Sequence, residues 1–238
     1  MDSSPLLSLP PELRLIIYDF ALTYTDPIEV QYLDDGNHKV VVTATQRHLL
    51  AVTHTCRQIR TECDNIFFRQ NSVTLKVTGF PKSLSNYNKS SVRSASSPLR
   101  TLSIAVGAAY AAALRSITID LGNVSIRDLW GRLSDAMMRE VLREGIVAAS
   151  KGPAQAITLV VNVMPSHLRK VRGSHLAVTV DLKTASASLE RAKVVLGQKI
   201  ADGEWGRRST GSSFYSVAAV RNLLADWMDI AVALEREG

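Results

Sequence analysis

The fold class that the sequence predicts is α+β, because stretches with helical periodicity and stretches with strand periodicity both recur along the chain. Apolar residues return every three or four positions in residues 47–71 and 214–235, the spacing of one face of a helix. Residues 28–45, 115–121 and 155–163 are instead rich in β-branched residues or alternate between apolar and polar side chains. A chain of 238 residues is long enough to bury a core without disulfides or metals.

The first predicted helix lies in the segment "SLPPELRLIIYDFAL", from Ser8 to Leu22. Pro11 suits the first turn of a helix, where its missing N–H costs nothing, and Glu12 in that turn favours the helix dipole. We expect the helix to end near Leu22, because the following "TYTDP" is β-branched and then turn-like. One face of this helix carries four bulky apolar side chains, at Leu13, Ile16, Ile17 and Phe20.

A β-hairpin is predicted next, over residues 28–45. Ile28, Val30 and Tyr32 alternate with polar residues, and a second β-rich run extends from Lys39 to Thr45. The dipeptide Asp35-Gly36 between the two runs is a typical hairpin turn.

A second helical stripe and a short strand follow the hairpin. The stripe predicts one helix, or two with a single break, between Arg47 and Asn71, and a strand is expected from Val73 to Val77. Cys56 and Cys63 lie seven residues apart in this stripe. On one helix their Cα atoms are about 10.5 Å apart, which is too far for a disulfide. They are therefore expected to be buried thiols of a cytoplasmic or nuclear protein. The stripe consists of Leu49, Val52, Cys56, Ile59, Cys63 and Ile66.

The second half of the chain predicts alternating helices and strands. The helices are expected at 98–114, 128–150, 186–200 and 214–235, and the strands at 115–121, 155–163 and 175–182. The phrase "RSITI" at 115–119 returns loosely as "QAITL" at 155–159. A single pair of copies does not make a solenoid, so we expect two strands of one small sheet with the long intervening helix packed across it.

Composition divides the chain into three parts. Residues 1–80 form one region, residues 81–97 a serine-rich flexible loop or linker, and residues 98–238 a basic α+β domain that either stands apart or shares one core with the first region. Residues 1–78 carry 7 basic and 9 acidic side chains, whereas residues 79–238 carry 21 and 13. This imbalance predicts an acidic client for the second part, with a solvated basic surface as the alternative.

The candidate client-binding residues are five basic side chains and one tryptophan in two short stretches. These stretches are "LRKVR" and "GEWGRRSTGSS". The Arg-Arg-Ser pattern in the second stretch also predicts phosphorylation at Ser209, with an unmodified loop as the alternative. The residues are Arg169, Lys170, Arg172, Trp205, Arg207 and Arg208.

No catalytic or cofactor-binding pattern is present in the sequence. It contains no G-x-x-x-x-G-K-[ST], no G-x-G-x-x-G and no G-x-S-x-G. His54 and Cys56 lie two residues apart without a second pair to complete a zinc site. We therefore expect a non-enzyme without cofactor or metal. The start "MDSSPLLSLPPE" lacks the features of a secretory signal, and no apolar run approaches a membrane span, so a cytoplasmic or nuclear protein is expected.

The segments "LLSLPPELRLIIYDFAL" and "LLAVTHTCRQIRTECDNIFFRQNSVTL" together resemble a family of fungal F-box-like proteins over about residues 6–78. The resemblance implies N-terminal F-box-like helices that dock on the Skp-type adaptor of a cullin–RING ubiquitin ligase, while the remaining chain presents a substrate. Carried over to this sequence, the implied adaptor contacts are Leu9, Pro10, Glu12, Leu13 and Ile16, supported by Leu50, Val52 and Cys56.

Three interpretations of function follow from these observations. The leading one is a non-enzymatic, F-box-like substrate receptor, although the predicted hairpin of residues 23–48 interrupts what is ordinarily a compact helical module. The second is a self-contained binding domain for a protein or nucleic acid, in which Ile16, Ile17 and Phe20 pack on Cys56 and Ile59 as core. Nucleic acid is disfavoured, because aromatic residues make up only 6% of the chain and do not alternate with basic ones. The third is an enzyme of unrecognised type.

Overall fold

The computed structural model describes residues 5–33, 39–42, 57–78, 98–125, 140–148, 156–164, 176–202 and 212–237. The helices of these stretches are α1 (Pro11–Leu22), α2 (Arg57–Gln70), α3 (Pro98–Val106), α4 (Ala108–Ala113), α5 (helical residues 140–148), α6 (Ala185–Ala201) and α7 (Ser212–Glu237). The strands are β1 (Ile28–Leu33), β2 (Lys39–Val42), β3 (Ser72–Thr78), β4 (Ser116–Ser125), β5 (Ala156–Met164) and β6 (Leu176–Asp181). The predicted α+β class is confirmed.

All six described strands belong to one mixed sheet. Their order is β2-β1-β3-β4-β5-β6, in which β1, β3, β4 and β5 run parallel and the two edge strands run antiparallel to their neighbours. The predicted hairpin is therefore β1 and β2 at one side of this sheet. Because β3 pairs with β4, the sheet joins strands from residues 1–80 to strands from residues 98–238.

The repeated phrase of the sequence corresponds to adjacent strands. Ile117 of β4 lies opposite Ile157 of β5, and Ile119 lies opposite Leu159, so the two copies pair in register. The expectation that both belong to one sheet is confirmed. Their apolar side chains lie on the same face and are almost completely buried, as expected when one face of a sheet is covered.

Two C-terminal helices build the far side of the core. Helix α6 packs on β6, and α7 packs on α6. The predicted apolar stripe of α7 is confirmed on its inner side, where Val220, Leu224, Trp227 and Ala231 are buried. Trp227 is among the largest fully buried side chains and anchors this layer.

The single helix expected from residue 98 to 114 is wrong, because Gly107 divides it into α3 and α4. Gly107 has φ of 95°, a conformation that residues with a Cβ rarely adopt. Of the helix expected at 128–150, residues 140–148 are described, and Val141 and Ile146 in them are buried. The predicted turn at Asp35-Gly36 and the serine-rich segment 81–97 lie outside the described residues.

Candidate protein-docking surface on α1

Helix α1 turns toward the protein interior a side that carries an arginine and a tyrosine, and not its apolar stripe. Arg14, Tyr18 and Leu22, spaced four residues apart, are buried. At about 100° per residue these three side chains project within a sector of about 80°. We call this sector the inner face of α1. It packs against α2, the neighbouring helix of the same region.

The apolar stripe of α1 points into solvent. We call it the outer face and define it by four side chains; on the helical wheel its centre lies about 150° from the centre of the inner face. The alternative in which Ile16, Ile17 and Phe20 pack as core on Ile59 is therefore wrong, because the inner face fills that position. The exposed fractions are 48% for Leu13, 65% for Ile16, 41% for Ile17 and 90% for Phe20.

An ion pair between the buried Arg14 and the half-buried Glu62 holds α1 in this orientation near its N-terminal end. The Arg14 guanidinium donates from Nε to Glu62 Oε2 at 3.1 Å and from Nη2 to Glu62 Oε1 at 2.8 Å. Its Nη1 donates to the carbonyl oxygen of Leu9 at 2.7 Å, and Gln58 Nε2 donates to Glu62 Oε1 at 3.0 Å. The planar guanidinium thus has a partner on each nitrogen, which compensates for its removal from water.

The same pair sets the charge states around the inner face. Hydrogen bonds from Arg14 and then Gln58 lower the pKa of Glu62 from 4.5 to about 2. Burial raises the pKa of Tyr18 to about 12, and the Glu62 carboxylate adds to that rise. The Tyr18 hydroxyl is buried and has no partner in good hydrogen-bonding geometry. At neutral pH Glu62 is therefore ionised and Tyr18 neutral.

Asn71, just after α2, fixes the other end of α1. Its Nδ2 donates to the carbonyl oxygens of Leu22 at 2.6 Å and Phe67 at 2.8 Å, and its Oδ1 accepts from the Tyr24 amide at 2.8 Å. The side chain is almost completely buried, so these bonds form away from water. Helix α1 is thus attached to α2 at both of its ends, which makes the outer face a rigid surface.

The C-terminal end of α2 joins this corner to the sheet. An aromatic series runs from Tyr24 through Phe67 and Phe68 to Tyr110 of α4, with ring centroids 6.5, 5.2 and 4.7 Å apart. The Arg115 amide, immediately before β4, donates to the carbonyl oxygens of Phe68 and Asn71, each at 3.2 Å. The position of α1 therefore depends on packing that extends beyond α2.

The structure places the predicted adaptor contacts of the first segment on or beside the outer face. Leu13 and Ile16 belong to it, Pro10 and Glu12 are exposed, and Leu9 is half-buried. The remaining predicted contacts, Leu50, Val52 and Cys56, lie outside the described residues.

Sequence reasoning assigned too few side chains to this surface. Ile17 and Phe20 were expected on the same stripe but were not among the predicted contacts, although their spacing from Leu13 and Ile16 is the signal that places them together. Leu15, which is 46% exposed, lies beside Leu22 on the helical wheel and does not belong to the outer face. Arg14 and Glu62 were also missed, since they lie 48 residues apart in the sequence.

The predicted client-binding residues Arg169, Lys170, Arg172, Trp205, Arg207 and Arg208, together with Ser209, lie outside the described residues. Within the described part of the chain, no three side chains of the metal-binding types are grouped together, and none of the helices has the length and apolarity to cross a membrane. Comparison with protein-family models, curated proteins and solved structures finds no match to this chain.

Proposed function

We propose that this chain is a non-enzymatic protein-interaction module that docks a Skp-type adaptor through the outer face of α1, in the manner of an F-box-like substrate receptor of a cullin–RING ubiquitin ligase. The observation that carries the proposal is the outer face itself. Four bulky apolar side chains are exposed on one side of a helix that is attached at both ends. The motifs "LPPELR" and "TCRQI", which resemble the fungal F-box-like family, support the choice of adaptor.

The pattern of the outer face matches that of a helix recognised in a groove. Its side chains occupy positions i, i+3, i+4 and i+7, the anchor spacing of an apolar helix face that is buried by a partner. A contiguous apolar patch of this kind on a soluble protein marks an interaction surface more often than an isolated exposed leucine does. The described strands of the hairpin, β1 and β2, pair within the sheet, and the four side chains of the outer face are exposed.

The energetics of the outer face favour tight docking. Full burial of an isoleucine or phenylalanine side chain contributes roughly 1.5–3 kcal/mol. Phe20, at 90% exposure, has nearly all of its apolar surface available. Because Arg14 and Asn71 already fix α1, little conformational entropy is lost on binding. We therefore expect Phe20 and Ile16 to contribute most of the binding energy.

The remainder of the chain would hold the client. Residues 79–238 carry 21 basic and 13 acidic side chains, which supports an acidic protein as the second partner. In this arrangement α1 and the basic part of the chain serve separate partners, so adaptor binding does not compete with the client.

Calorimetric titration of the full chain with purified Skp-type adaptor tests the proposal. The variant Leu13→Ala/Ile16→Ala/Phe20→Ala should bind at least about 100-fold more weakly, since several central anchors are truncated together. A matched control is Val194→Ala/Val195→Ala on α6, which removes apolar side chains that are 67% and 46% exposed elsewhere on the protein. The control should bind like the wild type.

Thermal unfolding of each variant separates loss of binding from loss of folding. Because all five substituted side chains are exposed, their unfolding temperatures should remain close to that of the wild type. A wild-type chain that does not bind the adaptor, or a control variant that loses affinity equally, would show the proposal to be wrong.

A further inference from the structure

The residues immediately before α1 form a turn that packs on the protein. The Leu9 amide donates to the carbonyl oxygen of Leu6 at 3.3 Å, which closes the turn. The side chains of Leu6 and Leu7 are half-buried against the hydrophobic core. The turn therefore has a defined position relative to the first residues of α1.

Pro10 extends the apolar stripe of α1 toward this turn. It is exposed and lies at the N-cap of α1, seven residues before Ile17 of the outer face. A separation of seven residues corresponds to about 20° on the helical wheel and to about 10.5 Å along the helix axis. Pro10 therefore lies at the N-terminal edge of the outer face, and a partner that covers the whole stripe would contact it.

The segment Leu9-Pro10-Pro11 is stiff. Each proline ring fixes its own φ, and a residue that precedes a proline is restricted to extended conformations. Pro10 accordingly has φ of −54° and ψ of 145°. Because few torsion angles remain free, a bond that fixes the Leu9 carbonyl also fixes the direction in which Pro10 is presented.

The Arg14 side chain supplies that bond. Its Nη1 donates to the Leu9 carbonyl oxygen at 2.7 Å, while its Nε and Nη2 donate to the two carboxylate oxygens of Glu62. The carbonyl oxygen of Pro10 accepts instead from the amides of Leu13 and Arg14, at 3.1 and 3.2 Å. A lysine ammonium lacks the planar fork of a guanidinium, so it cannot reproduce the same three side-chain bonds.

We propose that Arg14 is a positioning residue for adaptor docking, which holds the Leu9 carbonyl and thereby presents Leu9 and Pro10 to the partner that covers the outer face. This inference rests on the proposed function and gives a buried side chain a role in the same site. The effect is one of pre-organisation, because a contact segment that is already fixed loses less conformational entropy on binding. Loss of Arg14 should therefore lower the affinity for the adaptor by way of Leu9 and Pro10.

Calorimetric titration of the full chain with purified Skp-type adaptor, arranged as a double-mutant cycle, tests the inference. Arg14→Lys should bind about fivefold more weakly than the wild type. In a chain that carries Leu9→Ala/Pro10→Ala, the same substitution should cause no further loss, because the segment that Arg14 positions no longer contributes. Glu62→Gln, which leaves the guanidinium in place, should show a smaller loss that disappears in the same background.

Val161→Ala is the control for a general loss of stability. It truncates a fully buried side chain of β5, so it should lower the unfolding temperature and leave the affinity for the adaptor unchanged. The unfolding temperature of each variant is measured by circular dichroism, and every titration is run at a temperature at which the variant is folded. If Arg14→Lys does not fold, Glu62→Gln carries the cycle in its place.

The outcomes separate this inference from the proposed function. If the wild type binds the adaptor and the losses from Arg14→Lys and from Leu9→Ala/Pro10→Ala simply add, the inference is wrong and the proposed function stands. An Arg14→Lys chain that binds as tightly as the wild type leads to the same conclusion. If the wild type does not bind the adaptor, both are wrong.

Discussion

Arg14 of α1 and Glu62 of α2 form a bidentate ion pair, and the arginine is only 6% exposed. This relationship decides which side of α1 meets the protein. With Arg14 turned inward, the apolar stripe that begins at Leu13 must turn outward. A helix whose sequence has the pattern of a core helix thus presents its apolar side to solvent.

The ion pair predicts a specific dependence of stability on pH. The pKa of Glu62 is about 2 in the folded protein, whereas a glutamate without these partners has a pKa of 4.5. Its contribution should therefore be complete above about pH 4.5 and should be lost as the pH falls through about 2. Urea unfolding of the wild type and of Glu62→Gln over this range measures it. The wild type should be the more stable at neutral pH, and the difference should shrink in acid; a difference independent of pH would contradict the assignment.

Asn71 should be a large single contributor to the stability of the α1 corner. Asn71→Ala leaves the carbonyl oxygens of Leu22 and Phe67 and the amide of Tyr24 without their side-chain partners. We expect a loss of about 3 kcal/mol in the free energy of unfolding, since buried polar groups are left unsatisfied. Denaturant titration measures this loss, and Gln58→Ala, which removes an exposed hydrogen bond, is the control. A loss below about 1 kcal/mol for Asn71→Ala would show that water replaces the bonds.

Substitutions on the two faces of α1 should differ strongly in their effect on the free energy of unfolding. Leu22→Ala removes a fully buried side chain and should cost about 2–5 kcal/mol of stability. Phe20→Ser removes a larger side chain that is 90% exposed, and should change stability by less than about 0.5 kcal/mol. Chemical unfolding of both variants is the measurement. A Phe20→Ser variant as unstable as Leu22→Ala would return α1 to the role of an ordinary core helix.

Cutting the chain between the two predicted regions should not separate them. Strands β3 and β4 pair from Ser72 opposite Ser116 to Lys76 opposite Asp120, and Ser116 Oγ donates to Ser72 Oγ at 2.7 Å. We therefore expect a chain with a protease site inserted between Asn88 and Lys89 to remain one particle after cleavage. Size-exclusion chromatography with and without denaturant measures this. Separate elution of two folded pieces in native buffer would contradict a shared sheet.

Local patterns in the sequence were sufficient to predict most of the elements. The alternation around Ile28, the stripe of α7 around Trp227 and the repeated phrase around Ile117 all indicate structure within a few residues of themselves. Gly107 was the exception, because its alanine-rich surroundings favour a continuous helix while its own backbone adopts a positive φ. A single glycine in a helical pattern does not reveal which of the two effects prevails.

The orientation of α1 could not be predicted from the same patterns. Periodicity shows that Leu13, Ile16 and Phe20 share a face, but it does not show whether that face points inward. The direction is set by Glu62 and Asn71, which are distant in the sequence and meet α1 only in the folded chain. The joining of the hairpin to β3 is likewise a long-range pairing, which is why one continuous sheet was not foreseen.

The most direct test of the central claim is amide hydrogen exchange of the full chain with and without purified Skp-type adaptor. Docking on the outer face predicts slower exchange in the α1 segment from Leu13 to Phe20, while α6, which carries the exposed Val194 and Val195, keeps its rate. The same protection should be absent when Phe20→Ala is combined with Ile16→Ala. Unchanged exchange in α1 at saturating adaptor, or protection confined to α6, would contradict the claim that α1 is the docking helix.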